Sequence, residues 1–96
     1  MKILGYDYKL VYLPLHGKAP LESAGMCCVG QQMIMVDRGM CKQQVTSTIL
    51  HEVIEAVNRH LGVELSHQQI ILLEAGMYSA LVENGVNLSV LLKGLK

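Results

Sequence analysis

Thr48-Ile49-Leu50-His51-Glu52-Val53-Ile54-Glu55-Ala56-Val57-Asn58 is the stretch on which the reading of this chain turns. At about 100° per residue in an α-helix, His51, Glu55 and Asn58 project from one face, while Leu50, Val53, Ile54, Val57 and Leu61 project from the opposite one. The spacing predicts an amphipathic helix with one face for packing and one for chemistry.

The order His51-Glu52-x-x-Glu55 has the spacing of the His-Glu-x-x-His zinc helix, with a carboxylate in the second donor position. In that helix two donors one turn apart chelate one cation from a rigid backbone, and the Glu beside the first donor activates water. A carboxylate is a competent donor for a divalent metal, although it makes a site more anionic and harder in preference. A His and a Glu at i, i+4 also occur on the polar face of ordinary surface helices, so these residues alone leave both readings open.

The chain has 96 residues, enough for one small domain spanning 1–96. Half of the residues are hydrophobic (51%) and few are charged (17%), so a core can form without staples. Eight basic and eight acidic side chains balance, which removes the positive field that nucleic-acid binding relies on. Cys27, Cys28 and Cys41 form no Cys-x-x-Cys pair, and an odd number does not suggest a disulfide framework; a reducing cytoplasm fits. Neighbours in a strand point to opposite faces, so Cys27 and Cys28 read as small hydrophobes and not as joint ligands. No leader segment follows Met1-Lys2, and no apolar run approaches the ~20 residues that cross a bilayer.

Outward from the helix, residues 4–12 alternate, with Leu4, Tyr6, Tyr8, Leu10 and Tyr12 on one side of an expected half-buried strand. Residues 14–20, with two prolines and a glycine, read as a loop carrying His16, a solvated bystander. Residues 25–29 and 32–36 read as strands of a hairpin around Gly30-Gln31, and the unbroken apolar run Met33-Ile34-Met35-Val36 suggests a strand covered on both faces. The central helix should start between 42 and 46 and stop before Gly62. After a short link, Ser66 and Gln69 form a capping box for a second helix, which should return antiparallel and end at Asn84-Gly85. Residues 86–96 fit either a short strand or a frayed helix.

In the second helix, Ile70, Leu73, Met77, Tyr78, Leu81 and Val82 span a broad apolar arc with Glu74 near its middle and His67 beside it. A carboxylate there costs several kcal/mol unless it is paired or holds a metal. An ion pair with Arg38, Arg59 or a lysine, a raised pKa, or a rolled helix would each meet that need. His67 and Glu74 stand two turns apart, ~10 Å along the axis, so one ion is not held by both on a straight helix. Glu74, placed mid-arc, is the expected third donor with His51 and Glu55. His60 falls near Val53 and reads as structural.

With both helices placed, the segment Ser47-Thr48-Ile49-Leu50-His51-Glu52-Val53-Ile54-Glu55-Ala56, the strand before it and Gly76-Met77-Tyr78-Ser79-Ala80-Leu81-Val82-Glu83-Asn84 after it resemble the small zincin-like metallopeptidases of phages and bacteria, relatives of the ImmA/IrrE-type proteins. The resemblance covers roughly residues 24–84. It implies an α+β fold, a small curled antiparallel sheet packed on two antiparallel helices, with Glu52 as general base and His51, Glu55 and Glu74 as ligands of zinc. Tyr78 or His67 would polarise a substrate carbonyl. Glu55 departs from the pattern: one neutral and two anionic donors weaken the polarisation of water and turn preference toward manganese or iron.

The resulting expectation is a metal-dependent peptidase of phage or prophage origin, holding a cytoplasmic peptide or protein against an edge strand 33–36. The competing expectation is a non-catalytic relative that keeps the scaffold and binds another protein. Six methionines and the apolarity of the second helix also suit a homo-oligomer.

Overall fold

The computed structural model of the protein describes residues 1–12 and 25–95; the expected loop 14–20, with His16, lies outside them. β1 (Lys2–Ile3) and β2 (Tyr6–Asp7) make a small hairpin, and β3 (Lys9–Tyr12), β4 (Gly25–Cys28) and β5 (Met33–Val36) make a three-stranded sheet. α1 (Lys42–Leu61), α2 (His67–Glu83) and a 3-10 helix (Leu88–Leu92) follow. The fold is α+β, as expected.

The expected continuous strand 4–12 is interrupted. Leu4 and Gly5 take left-handed backbone angles (φ 52° and 85°), which reverse the chain and pair Lys2 with Asp7 across a tight turn. Leu4 and Tyr6 are therefore exposed, and only Tyr8 and Leu10 of the alternating set are buried. Tyr6 and Tyr8 meet again on His60: the Tyr6 ring stacks on the imidazole at 4.4 Å, and the Tyr8 hydroxyl lies 2.7 Å from Nε2. His60 thus packs between the two tyrosines, outside the cleft described below.

The sheet is mixed, not antiparallel. Its order is β3-β5-β4, with β4 antiparallel to β5 and β3 parallel to it. The hairpin between β4 and β5 forms as predicted, closed by Gln32 N donating to Val29 O at 3.1 Å. The physical reason for the correction lies in β5: Ile34 and Val36 on one face are wholly buried, Met33 and Met35 on the other are half-buried, and so apolar a strand is best covered at the centre, with a neighbour on each side. β5 is therefore not the edge strand expected above; β3 and β4 are the edges.

α1 ends at Gly62, which adopts φ 65° and donates its N–H to Asn58 O. Asn58 is itself buried, and its Oδ1 accepts the Leu65 N–H at 2.9 Å, fixing the exit of the chain. The deepest stripe of α1 is Val45, Ile49, Glu52 and Ala56, set against Tyr8, Leu10, Cys27, Ile34 and Val36 of the strands. This stripe is rotated from the expected face, with Leu61 exposed and Val53 and Val57 only flanking the core. The rotation carries Glu52 into the interior.

α2 begins with the predicted capping box, Gln69 N donating to Ser66 Oγ (3.1 Å) and Ser66 N to Gln69 Oε1 (2.8 Å). Leu65 bonds to Asn58, His67 touches His51 and Glu74 meets Ser47, so α2 runs antiparallel to α1. The broad apolar arc does not become a packing face: Ile70 is buried, Tyr78 and Leu81 are half-buried, and Leu72, Leu73, Met77 and Val82 are exposed. An outer helix resting on one neighbour buries a stripe spaced by three and four residues, not half its circumference. Residues after α2 resolve into the 3-10 helix, and Leu91, Leu92 and Leu95 pack on the core. No helix among the described residues is long and apolar enough to cross a membrane.

Candidate metal site between the helices

A cleft of about 360 Å³ opens where β4, α1 and α2 meet. Its floor is β4 at Gly25 and Cys27, its wall is the polar side of α1, and its rim is α2 at His67 and Glu74. Gly25 permits the closeness of β4 to α1: a Cβ on it would lie 2.6 Å from Thr48 Cγ2 and 3.2 Å from Glu52 Oε2.

His51 stands at the centre of the polar groups. Its Nε2 is 4.0 Å from Glu55 Oε2, its Nδ1 is 3.8 Å from Glu74 Oε1, and its ring meets that of His67 edge-on at 5.5 Å. One donor atom each from His51, Glu55 and His67 lie within 4.8 Å of one another. Both carboxylates are held from behind. Glu74 Oε2 accepts a hydrogen bond from Ser47 Oγ at 2.9 Å, and Glu55 Oε1 lies 3.6 Å from Arg59 Nε. Arg59 also donates from Nη1 to Cys27 O at 3.1 Å, tying α1 to the edge strand.

Imidazole and carboxylate are the donors that zinc, manganese and iron accept. Donors around a tetrahedral ion at ~2.1 Å stand ~3.4 Å apart, so these side chains would close by roughly an ångström on a bound ion. Such a movement is within the reach of partly exposed side chains, and the residues present fit a divalent cation.

Glu52 is only 6% exposed. Burial, reinforced by the negative charge of Glu55 and partly offset by Arg59, pushes its carboxyl up to about 7. It lines the same cleft, one residue from His51. Glu52 is therefore not a solvent-facing helix glutamate. The Cys27 thiol is pushed up to about 11, by burial first and by Glu52 second.

The structure thus gathers His51, Glu52, Glu55 and Glu74 around one cleft, and adds His67 to the tight donor group. Tyr78 does not line this cleft; it sits in a neighbouring recess with Met40, Gln43, Ser47 and Val82. The arginines that could have neutralised Glu74 are engaged elsewhere, Arg38 over the Tyr12 ring and Arg59 on Glu55. Arg59 and Gly25 were missed as site residues. Arg59 stands four residues after Glu55, a spacing that could have revealed the ion pair.

Compared with family models, curated proteins and solved structures, the chain has no match. Geometry alone bears on its function.

Proposed function

We propose that the protein is a divalent-metal-dependent hydrolase of the zincin type that cleaves a peptide bond in a cytoplasmic peptide or protein. The observation that carries this reading is the convergence of the His51, Glu55 and His67 donor atoms within 4.8 Å beside the buried Glu52. His51 and Glu55 of α1, with a donor from α2, would hold the ion: zinc by preference, manganese or iron if two carboxylates take part. When bound, the cation supplies Lewis acidity toward water and the scissile carbonyl.

The chain's own residues supply the rest. Glu52, with its carboxyl near pH 7, accepts a proton from water and returns it to the departing amine, as a general base is best matched to the working pH. β4 is an edge strand bordering the cleft, so an extended peptide adding to that edge would pass its backbone over His51 and Glu52. Tyr78, in its separate recess, has no part in this step.

Elemental analysis of protein purified without chelator, followed by a fluorogenic peptide library with and without chelator, tests the reading. Bound metal and chelator-sensitive cleavage are expected. Protein that takes up none of zinc, manganese or iron would refute it.

A second reading, a non-catalytic scaffold that binds another protein or a second copy, is favoured by one observation: Leu72, Leu73, Met77 and Val82 of α2 face solvent. Metal binding without cleavage, together with a mass above the monomer in size-exclusion chromatography, would favour it over the enzyme.

A further inference from the structure

The second donor of a His-Glu-x-x-His helix is a neutral imidazole, and here it is the anionic Glu55. Were Glu74 the third donor, two carboxylates would face the ion and its Lewis acidity would fall. The side chains are arranged otherwise. His67 approaches Glu55 and His51 as a member of the close donor group, whereas Glu74 meets His51 on Nδ1, the nitrogen other than the one facing Glu55. The other oxygen of Glu74 is anchored by Ser47 Oγ at 2.9 Å.

We propose that donors have been exchanged between the helices: Glu55 supplies the carboxylate from α1, His67 supplies the second imidazole from α2, and Glu74 is a positioning residue. Resting on the metal reading above, this assignment restores two neutral donors and one anionic donor. Glu74 Oε1 stands 3.8 Å from His51 Nδ1, so an approach of under an ångström on metal binding would let it accept the Nδ1–H and leave Nε2, the nitrogen turned toward Glu55, free to ligate. A ligating histidine whose other ring N–H is held by a carboxylate is fixed in tautomer and orientation, and losing that partner commonly lowers metal affinity 10–100-fold without removing the site. Arg59 plays the matching part for Glu55, 3.6 Å behind its other oxygen.

The test is zinc and cobalt titration of the full chain and three variants, His67→Ala, Glu74→Ala and Glu74→Gln, each first shown to be folded by circular dichroism. Wild type should bind one ion. His67→Ala should lose at least a thousandfold in affinity; Glu74→Ala should keep the stoichiometry and lose roughly 10–100-fold, with Glu74→Gln restoring most of it. Nitrogen-15 spectra of the imidazoles should show His51 protonated on Nδ1 in wild type and a mixture of tautomers in Glu74→Ala. Unchanged affinity in His67→Ala, or loss of the ion in Glu74→Ala, overturns the exchange while leaving the metal reading standing. A wild type that binds no ion overturns both.

Discussion

Gly25 faces Glu52 across the cleft floor: a methyl group added to Gly25 would sit 3.2 Å from Glu52 Oε2, and 3.0 Å from the Met35 carbonyl oxygen. The edge strand can lie this close to α1 only because Gly25 has no side chain, and that closeness leaves Glu52 only 6% exposed, at the floor of the cleft.

Gly25→Ala should therefore destabilise the fold by about 1–3 kcal/mol, the ordinary cost of overpacking. The nearest obstacle is Thr48 Cγ2 at 2.6 Å, so Thr48→Ser in the same chain should recover part of the loss. The Met35 carbonyl is backbone and remains, so recovery should be incomplete. Urea denaturation of the single and double variants checks both statements.

Which features could be read from the sequence follows from the range of the interactions. Gly62 and the Ser66–Gln69 box act within a few residues, and they set the ends of both helices where the spacing placed them. The direction of β3 depends on which strand takes the centre of the sheet, a choice made between segments far apart in the chain, and period-2 alternation carries no sign of it. For α1, the apolar face was expected on Leu50, Val53, Ile54, Val57 and Leu61; Leu50 is buried, but Val45, Ile49 and Ala56 set the deepest stripe, and that rotation hides Glu52. Glu74 does meet His51 and Ser47, but burial in an apolar arc did not force the pairing, because Leu73, Met77 and Val82 of that arc are exposed. His67 was harder to place, since the first residue of a helix is usually exposed and its proximity to Glu55 is set by the packing of two helices.

The buried carboxyl of Glu52 should make stability depend on pH. Its folded value, about 7, lies above the ordinary 4.5, so between those two pH values the folded chain holds a proton that the unfolded chain has lost. Its contribution is most favourable below about pH 4.5 and is lost as pH rises through 7. In metal-free protein the loss between pH 5 and pH 8 should be roughly 2–3 kcal/mol. Glu52→Gln does not titrate, so the stability of variant minus wild type should rise across that range when followed by urea denaturation with chelator present. A difference that stays flat would show that Glu52 remains ionised in the folded state.

Cysteine reactivity offers a second check on the same packing. Cys27 is buried, with its thiol pushed up to about 11, whereas Cys41 is exposed. The thiolate is the reactive form, and at pH 8 only about one part in a thousand of a thiol at 11 is ionised. Iodoacetamide at that pH should modify Cys41 first and reach Cys27 only on unfolding, as peptide mapping by mass spectrometry would show. Gly25→Ala, by prising β4 from α1, should speed the reaction at Cys27.

Enzyme and scaffold separate at Glu52. It borders the donor group from the interior side, where it can reach water in the cleft without joining His51, Glu55 and His67 as a donor. Glu52→Gln keeps the shape of the side chain and removes its capacity to take a proton. If the protein hydrolyses peptides, the variant should bind metal within a few-fold of wild type and lose roughly 10²–10⁴-fold in turnover. Glu74→Ala should show a different pattern, with weaker metal binding but turnover largely recovered at saturating metal, because it orients a donor and moves no proton. An active wild type with an equally active Glu52→Gln variant would sink the general-base assignment. Full metal binding with no cleavage in either protein would instead identify a scaffold, and attention would pass to the exposed apolar residues of α2.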